Sequence, residues 1–396
     1  MKAFILLLFI FWRVLLFLVA YFSGKYLVFD PSFPYSDTLL VKSGLPSWIW
    51  SFANFDGVHY LTIAKSGYSA QFTQAFFPVY PGIISLISRI IQDDNFIIIG
   101  LLLSNLFFVI SLIILWKLLS LDYNHNVIIW TFLFLFTFPV SFYFGSMYTE
   151  SLFFMLTLST FYLARKRKWW LAGFVGALAS ATKLVGIFVL PAIIWELYQC
   201  NMSNIRKTKI RGSNISQKII SILLYIKKLF SSPVVFLIPM GLILYMFYLQ
   251  VRFGDWLYFW HAQPIFGAER TSGQLIFLPQ VIWRYLKIFL TVSTYTEKFW
   301  IAVTEFSLTI IALALLVFAY KSKVRMSYII FSVISLTVPT LTGTLSSMPR
   351  YILVIFPIYI SLSLIKNKHL KYFCLLMGLV LLIVFTAVFS RGHWVS

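Results

Sequence analysis

Long apolar runs separated by short polar breaks fill the chain. A helix needs about 20 apolar residues to cross a bilayer, and runs of roughly that kind occupy 3–22, 96–117, 127–145, 149–164, 229–251, 299–320, 327–342, 351–365 and 372–390. Residues 169–199 hold two shorter runs broken at Thr182-Lys183, which predicts two half-length helices and about eleven spans in all. The segment 78–91 is apolar but short and follows a polar stretch, so it reads as an interfacial or partly buried helix. The pattern predicts an all-α polytopic membrane protein, with 1–396 as a single integral membrane domain.

Charge orients this arrangement. With the N-terminus inside, Lys2, Lys117, Arg165 to Lys168, the cluster from Arg206 to Lys228, Lys321, Lys323, Arg325, Lys366, Lys368 and Lys371 all fall on one side. Asp30, Asp37, Asp56, Asp93, Asp94, Glu150, Asp255, Glu269 and Glu297 fall on the other, while Asp122 and Glu196 are inside and Glu305 lies within a span. Basic residues concentrate in cytoplasmic loops. Two long extracytoplasmic loops result, 23–95 and 252–298, together with a basic cytoplasmic loop, 200–228. Long loops in compact proteins are usually functional.

Composition agrees with the apolar pattern. Of 396 residues, 60% are hydrophobic and 11% charged, against about 25% charged in soluble domains. The net charge of +20 is accounted for by the short inner loops and gives no reason to invoke nucleic acid. Cys200 and Cys374 form neither a disulfide framework nor a metal-spacing pattern. The run from Ala3 to Phe22, interrupted by Arg13, is expected to be a retained signal anchor. No P-loop occurs, which argues against an ATP-driven pump.

Candidate chemistry lies at the outer ends of the spans. Asp56 stands at a predicted helix start, where a simple N-cap is the bland alternative. His59 and Tyr60 follow at i+3 and i+4 and share its face. Tyr68 and the run Phe76 to Pro81 are placed to wall the same region. Glu150, after Tyr148, is either a helix-end charge favoured by the dipole or a substrate contact. Lys183 lies between half-helices, where an ammonium either snorkels to the interface or meets a phosphate. Arg350, beside Tyr351, offers a bidentate fork or an interfacial anchor. His261 and Gln263 sit in an aromatic second loop, suited to a sugar or to an interfacial belt.

Taken in order, these motifs resemble the PIG-V family of mannosyltransferases, within the C-type (GT-C) glycosyltransferase superfamily. The resemblance rests on Phe55-Asp56-Gly57-x-His59-Tyr60-Leu61-x-Ile63-Ala64-x-x-Gly67-Tyr68, Phe76 to Pro81, Tyr148 to Phe153, Lys168 to Gly173, His261-Ala262-Gln263 and Pro349-Arg350-Tyr351. Two departures stand out: Phe55 replaces the family's usual Trp, and Thr182-Lys183-Leu184-Val185-Gly186 stands where Thr-Arg-Pro-x-Gly is expected.

The resemblance implies a GT-C-type fold, a donor such as dolichyl- or polyprenyl-phosphate mannose, a lipid or glycan acceptor, and an extracytoplasmic active site. The membrane would be the plasma membrane in a prokaryote and the endoplasmic reticulum in a eukaryote. On this reading Asp56 is the catalytic base of an inverting displacement. His59, Tyr60, Tyr68, Tyr148, Glu150, His261, Gln263 and Tyr351 contact substrate, and Lys183 and Arg350 meet the donor phosphate. The first loop has no Asp-x-Asp pair, so no metal or other cofactor is expected. The alternatives are a GT-C transferase for another lipid-linked sugar, or a non-catalytic flippase or transporter of such lipids.

Overall fold

The structure, a computed structural model, describes residues 2–207, 232–267 and 270–395, with the backbone alone for Lys2 and 201–207. The basic loop 200–228 therefore lies almost wholly outside the described residues, as does Glu269. The fold is all-helical, as expected, with 76% of residues in helix. Among the described residues the β structure is one isolated bridge, between Ile276 and Thr342.

The chain opens with α1 (Lys2–Tyr26). The first loop carries α2 (Asp56–Ser66) and the amphipathic α3 (Val79–Ile91), which buries Tyr80 and Ile84 and exposes Leu86, Ile90 and Ile91. That is the interfacial helix read at 78–91. Next come α4 (Phe96–Leu119), α5 (His125–Phe136), α6 (Glu150–Arg165), α7 (Trp169–Ser180), α8 (Val189–Lys207) and α9 (Pro233–Phe253). The second loop leads into α10 (Leu278–Thr291). The chain continues with α11 (Glu297–Lys321), α12 (Met326–Thr337), α13 (Met348–Leu353), α14 (Pro357–Ser363) and α15 (Lys368–Ser390).

Among the described residues, five helices are long and apolar enough to cross a membrane: α1, α4, α9, α11 and α15. The other apolar runs expected to span are built differently. α5, α7 and α12 have 12 residues each, about 18 Å of helix against a hydrocarbon core of about 30 Å. Each ends at a break that the sequence dictates. Pro139 follows α5 and Pro339 follows α12, and neither can continue a helix. After α7, Lys183 is extended. Gly186 then packs so closely on Ala179 that a Cβ would lie 2.2 Å from its carbonyl oxygen.

The half-helices fold back as pairs. Asp122, just before α5, accepts two hydrogen bonds from Arg165 at the end of α6, at 2.6 and 2.8 Å. The start of α5 and the end of α6 therefore meet. Arg165 also donates to Tyr328 on α12 at 2.9 Å, and Glu196 on α8 pairs with Arg325 and Ser327 at the start of α12. These bonds tie the three pairs α5–α6, α7–α8 and α12–α13/α14 together at one end. At the other end their turns, near Thr149, Lys183 and Ser347, come together, about 22 Å away along α6.

Small residues make this possible. α7 packs on α9 through Gly173, Gly176 and Gly241, and a Cβ on Gly241 would sit 1.9 Å from the Ala177 carbonyl oxygen. Close backbone approach through small residues is how helices associate in lipid. Ser180 closes the contact by donating to the Ile238 carbonyl at 2.6 Å. Gly241→Val is expected to destabilise the protein by about 3 kcal/mol through overpacking. Gly82→Ala, at a site with nothing within 4 Å, is expected to leave stability unchanged. Thermal unfolding in detergent checks the pair, and equal melting temperatures would contradict this packing.

Candidate active site

The first loop is moulded onto the paired helices by backbone contacts. Met147 N donates to the Phe52 carbonyl at 2.9 Å, Tyr148 Oη to the Asn54 carbonyl at 2.7 Å, and Asn54 Nδ2 to the Phe389 carbonyl at 2.8 Å. Gly57, at the start of α2, lies against the Met147 carbonyl of the turn before α6, where a Cβ would sit at 3.5 Å, ordinary contact distance.

Phe55 is held at φ 56°, ψ −116°, a region that costs a non-glycine residue about 1–3 kcal/mol. Its ring is locked against Phe33, Phe389 and Trp394. This packing fixes the backbone at the residue immediately before Asp56.

Asp56 is therefore the first residue of α2 rather than its N-cap. Its carboxylate binds a residue 294 positions away, with Arg350 Nη1 donating to Asp56 Oδ2 at 2.6 Å. Arg350 Nε and Nη2 both donate to Glu150 Oε1, at 3.0 and 2.9 Å, and Lys183 Nζ donates to the same oxygen at 3.0 Å. The turns of all three helix pairs thus meet in one ionic cluster, and the first loop adds the fourth charge. Two carboxylates face two cations, so the cluster is formally neutral.

Aromatic rings enclose it. The Arg350 guanidinium lies over Tyr148 and Tyr143, at 4.8 and 5.1 Å from the ring centroids, and Lys183 Nζ is 5.0 Å from Tyr351. Arginine over a ring face gains cation–π attraction in addition to its ion pairs. Glu150 Oε2 is buried without a hydrogen-bond partner. A buried carboxylate oxygen left unpaired is costly unless a ligand or water reaches it.

Other residues singled out in the sequence line the approach. His59 is half-buried, stacks on Phe76 at 4.6 Å and meets Phe266 edge-on at 5.7 Å. Burial lowers its pKa below the ordinary 6.5, with Asp56 opposing the shift, so the ring is neutral at pH 7. Tyr60 is buried and lies 3.4 Å, oxygen to oxygen, from Thr149 Oγ1.

Tyr68 donates to the Phe76 carbonyl at 2.6 Å and packs on Tyr245 and Tyr248. It serves the wall of the region and makes no contact with the ionic cluster. His261 is exposed and pairs with Asp255 at 2.7 Å, so it also stands apart from the cluster. Gln263 donates to the Phe259 carbonyl at 3.0 Å and accepts from Arg270 at 3.4 Å. Sequence reasoning missed Tyr143, which sits within the aromatic run Phe142-Tyr143-Phe144. Arg270 ends the polar run Gly267 to Arg270 of the second loop, a loop read as suited to a sugar, and no feature of that run singles it out as a site residue.

The sequence profile of the Mannosyltransferase (PIG-V) family matches residues 1–266. GPI mannosyltransferase 2 of Cryptococcus neoformans var. neoformans serotype D is 29% identical over 168 residues, covering 40% of this chain and 38% of that protein. GPI mannosyltransferase 2 of Drosophila pseudoobscura pseudoobscura is 29% identical over 132 residues, 31% of this chain and 28% of that protein. The chain thus spans under two fifths of the length of the curated relatives it matches. No solved structure matches it.

Glu150 pairs with both cations of the cluster, so its loss leaves Lys183 without a carboxylate and Arg350 with Asp56 alone. Removing one partner of a buried pair costs about 3–5 kcal/mol. Glu150→Gln is expected to lower stability by that amount. Adding Lys183→Met to it should cost less than the separate effects combined. Unchanged unfolding of Glu150→Gln would show that the carboxylate does not hold the turns together.

Proposed function

The chain belongs to the Mannosyltransferase (PIG-V) family, and on that premise we propose that it moves mannose from a polyprenyl- or dolichyl-phosphate donor to a lipid or glycan acceptor. The observation that carries this reading is the graded accessibility of the ionic cluster. Side-chain exposure is 20% at Asp56, 15% at Lys183, 7% at Arg350 and 0% at Glu150. Asp56 is the carboxylate a substrate can reach, and the other three groups hold it in place.

The chemistry follows from that placement. Arg350 fixes Asp56 through Oδ2. Oδ1 accepts no hydrogen bond among the described residues and is free to take a proton. In the proposed step the acceptor hydroxyl attacks the anomeric carbon and gives its proton to Asp56. The bond from that carbon to the phosphate oxygen breaks, and its electron pair leaves with the lipid phosphate. Attack from the side opposite the leaving group inverts the anomeric centre. His59, Phe76 and Phe266 form an aromatic wall on which a sugar ring can pack.

A leaving phosphomonoester needs less charge neutralisation than a nucleoside diphosphate. No metal is required by this scheme. The sign asymmetry of the loops supports a site on the extracytoplasmic side of a multi-pass protein, in the endoplasmic reticulum of a eukaryote or the plasma membrane of a prokaryote.

The test is transfer of radiolabelled mannose from polyprenyl-phosphate mannose into a total lipid and glycan extract, with EDTA present. The purified protein is expected to transfer label. Asp56→Asn, expressed and folded as the wild type, is expected to lose about a hundredfold. Wild-type turnover by Asp56→Asn would overturn the base assignment, and EDTA-sensitive transfer would overturn the metal-free scheme.

A further inference from the structure

The ionic cluster has no spare positive charge to offer a leaving phosphate. Lys183 and Arg350 both bind carboxylates, and the four groups cancel. A third cation approaches from the second loop. Arg270 is half-buried and donates through Nη2 to Ser346 Oγ at 3.3 Å and Ser347 Oγ at 3.2 Å, and through Nη1 to Gln263 Oε1 at 3.4 Å. All three acceptors are neutral and all three bonds are long for a charged donor. No carboxylate lies within ion-pair distance of Arg270 among the described residues. Glu305, a described acid that feels the charge of Arg270, is bound through Oε2 to Tyr285 at 2.6 Å.

The surroundings of Arg270 join it to the site from two sides. Its backbone N–H bonds the Gly267 carbonyl at 3.3 Å, next to Phe266, whose ring meets His59. Its partner Ser347 accepts at its carbonyl from the N–H of Arg350 at 3.0 Å. Arg270 therefore bridges the aromatic wall and the turn that presents Arg350. Beyond it the chain enters α10, which exposes Trp283, Leu286 and Leu290, an apolar face suited to an isoprenoid chain.

We propose that Arg270, with the hydroxyls of Ser346 and Ser347, binds the phosphate of the lipid-linked donor and retains it as the leaving group. This rests on the transferase reading above. As the bond from the anomeric carbon breaks, its electron pair goes to the bridging oxygen, and the phosphodiester monoanion becomes a phosphomonoester dianion. A guanidinium fork matches phosphate oxygens in pairs, and it stabilises the dianion more than the monoanion. The serine hydroxyls, which now only accept from Arg270, can rotate to donate to the same oxygens.

Calorimetric binding of a polyprenyl monophosphate in detergent, with the uncharged polyprenol of equal length as control, tests the assignment. The wild type is expected to prefer the phosphate. Arg270→Met is expected to weaken phosphate binding by roughly tenfold or more while leaving polyprenol binding unchanged. Arg270→Lys should recover part of the loss, and Arg270→Gln substitutes if the methionine variant does not fold. Undiminished phosphate binding by a folded Arg270→Met or Arg270→Gln would overturn the proposal and leave the transferase reading standing. A wild type with no preference for the phosphate would overturn both.

Discussion

The bridge that Arg350 makes between Asp56 and Glu150 sets the geometry of everything around it. Its fork reaches one carboxylate on a surface loop and another buried at the head of α6. Without it the first loop would keep its aromatic packing but lose its only ion pair to the helix pairs among the described residues. A guanidinium in this position must satisfy several acceptors at once, which a point-charge ammonium cannot do with the same directionality.

The rest of the fold supplies the conditions for that bridge. Half-length helices end at Pro139, at Lys183 and at Pro339, and each break exposes polar backbone that must be satisfied inside the protein. Bringing the three breaks together pools their charged side chains. The opposite ends are locked by Asp122–Arg165 and Glu196–Arg325, so the pairs are pinned at both levels. Glycine contacts between α7 and α9 hold the Lys183 turn against its neighbours. The site is thus held by rigid elements, and the strained backbone at Phe55 delivers the one carboxylate that comes from a loop.

How far the sequence foretold this depends on the interaction. Helical spans, the break at Thr182-Lys183 and the interfacial helix at 78–91 follow from hydrophobic periodicity and turn residues, which are local signals. The outward clustering of Asp56, Glu150, Lys183 and Arg350 follows from charge patterning. Their mutual pairing does not, because contacts across 294 residues leave no trace in spacing. The sequence offered Lys183 and Arg350 either to the interface or to a donor phosphate, whereas the fold sets each against a carboxylate. His261 lay in a family-like motif, yet it bonds Asp255 on the surface. Arg270 belongs to a second loop read only as suited to a sugar, and its place beside Ser346 and Ser347 becomes visible only in the fold.

The central claim is that Asp56 and Arg350 act as one unit across the sequence. A double-mutant cycle of Asp56→Asn and Arg350→Met, read by unfolding in detergent, measures it directly. Residues in contact couple by about 0.5–3 kcal/mol. The account predicts a coupling of at least about 1 kcal/mol, with the double variant less destabilised than the separate effects combined. Strict additivity would contradict it.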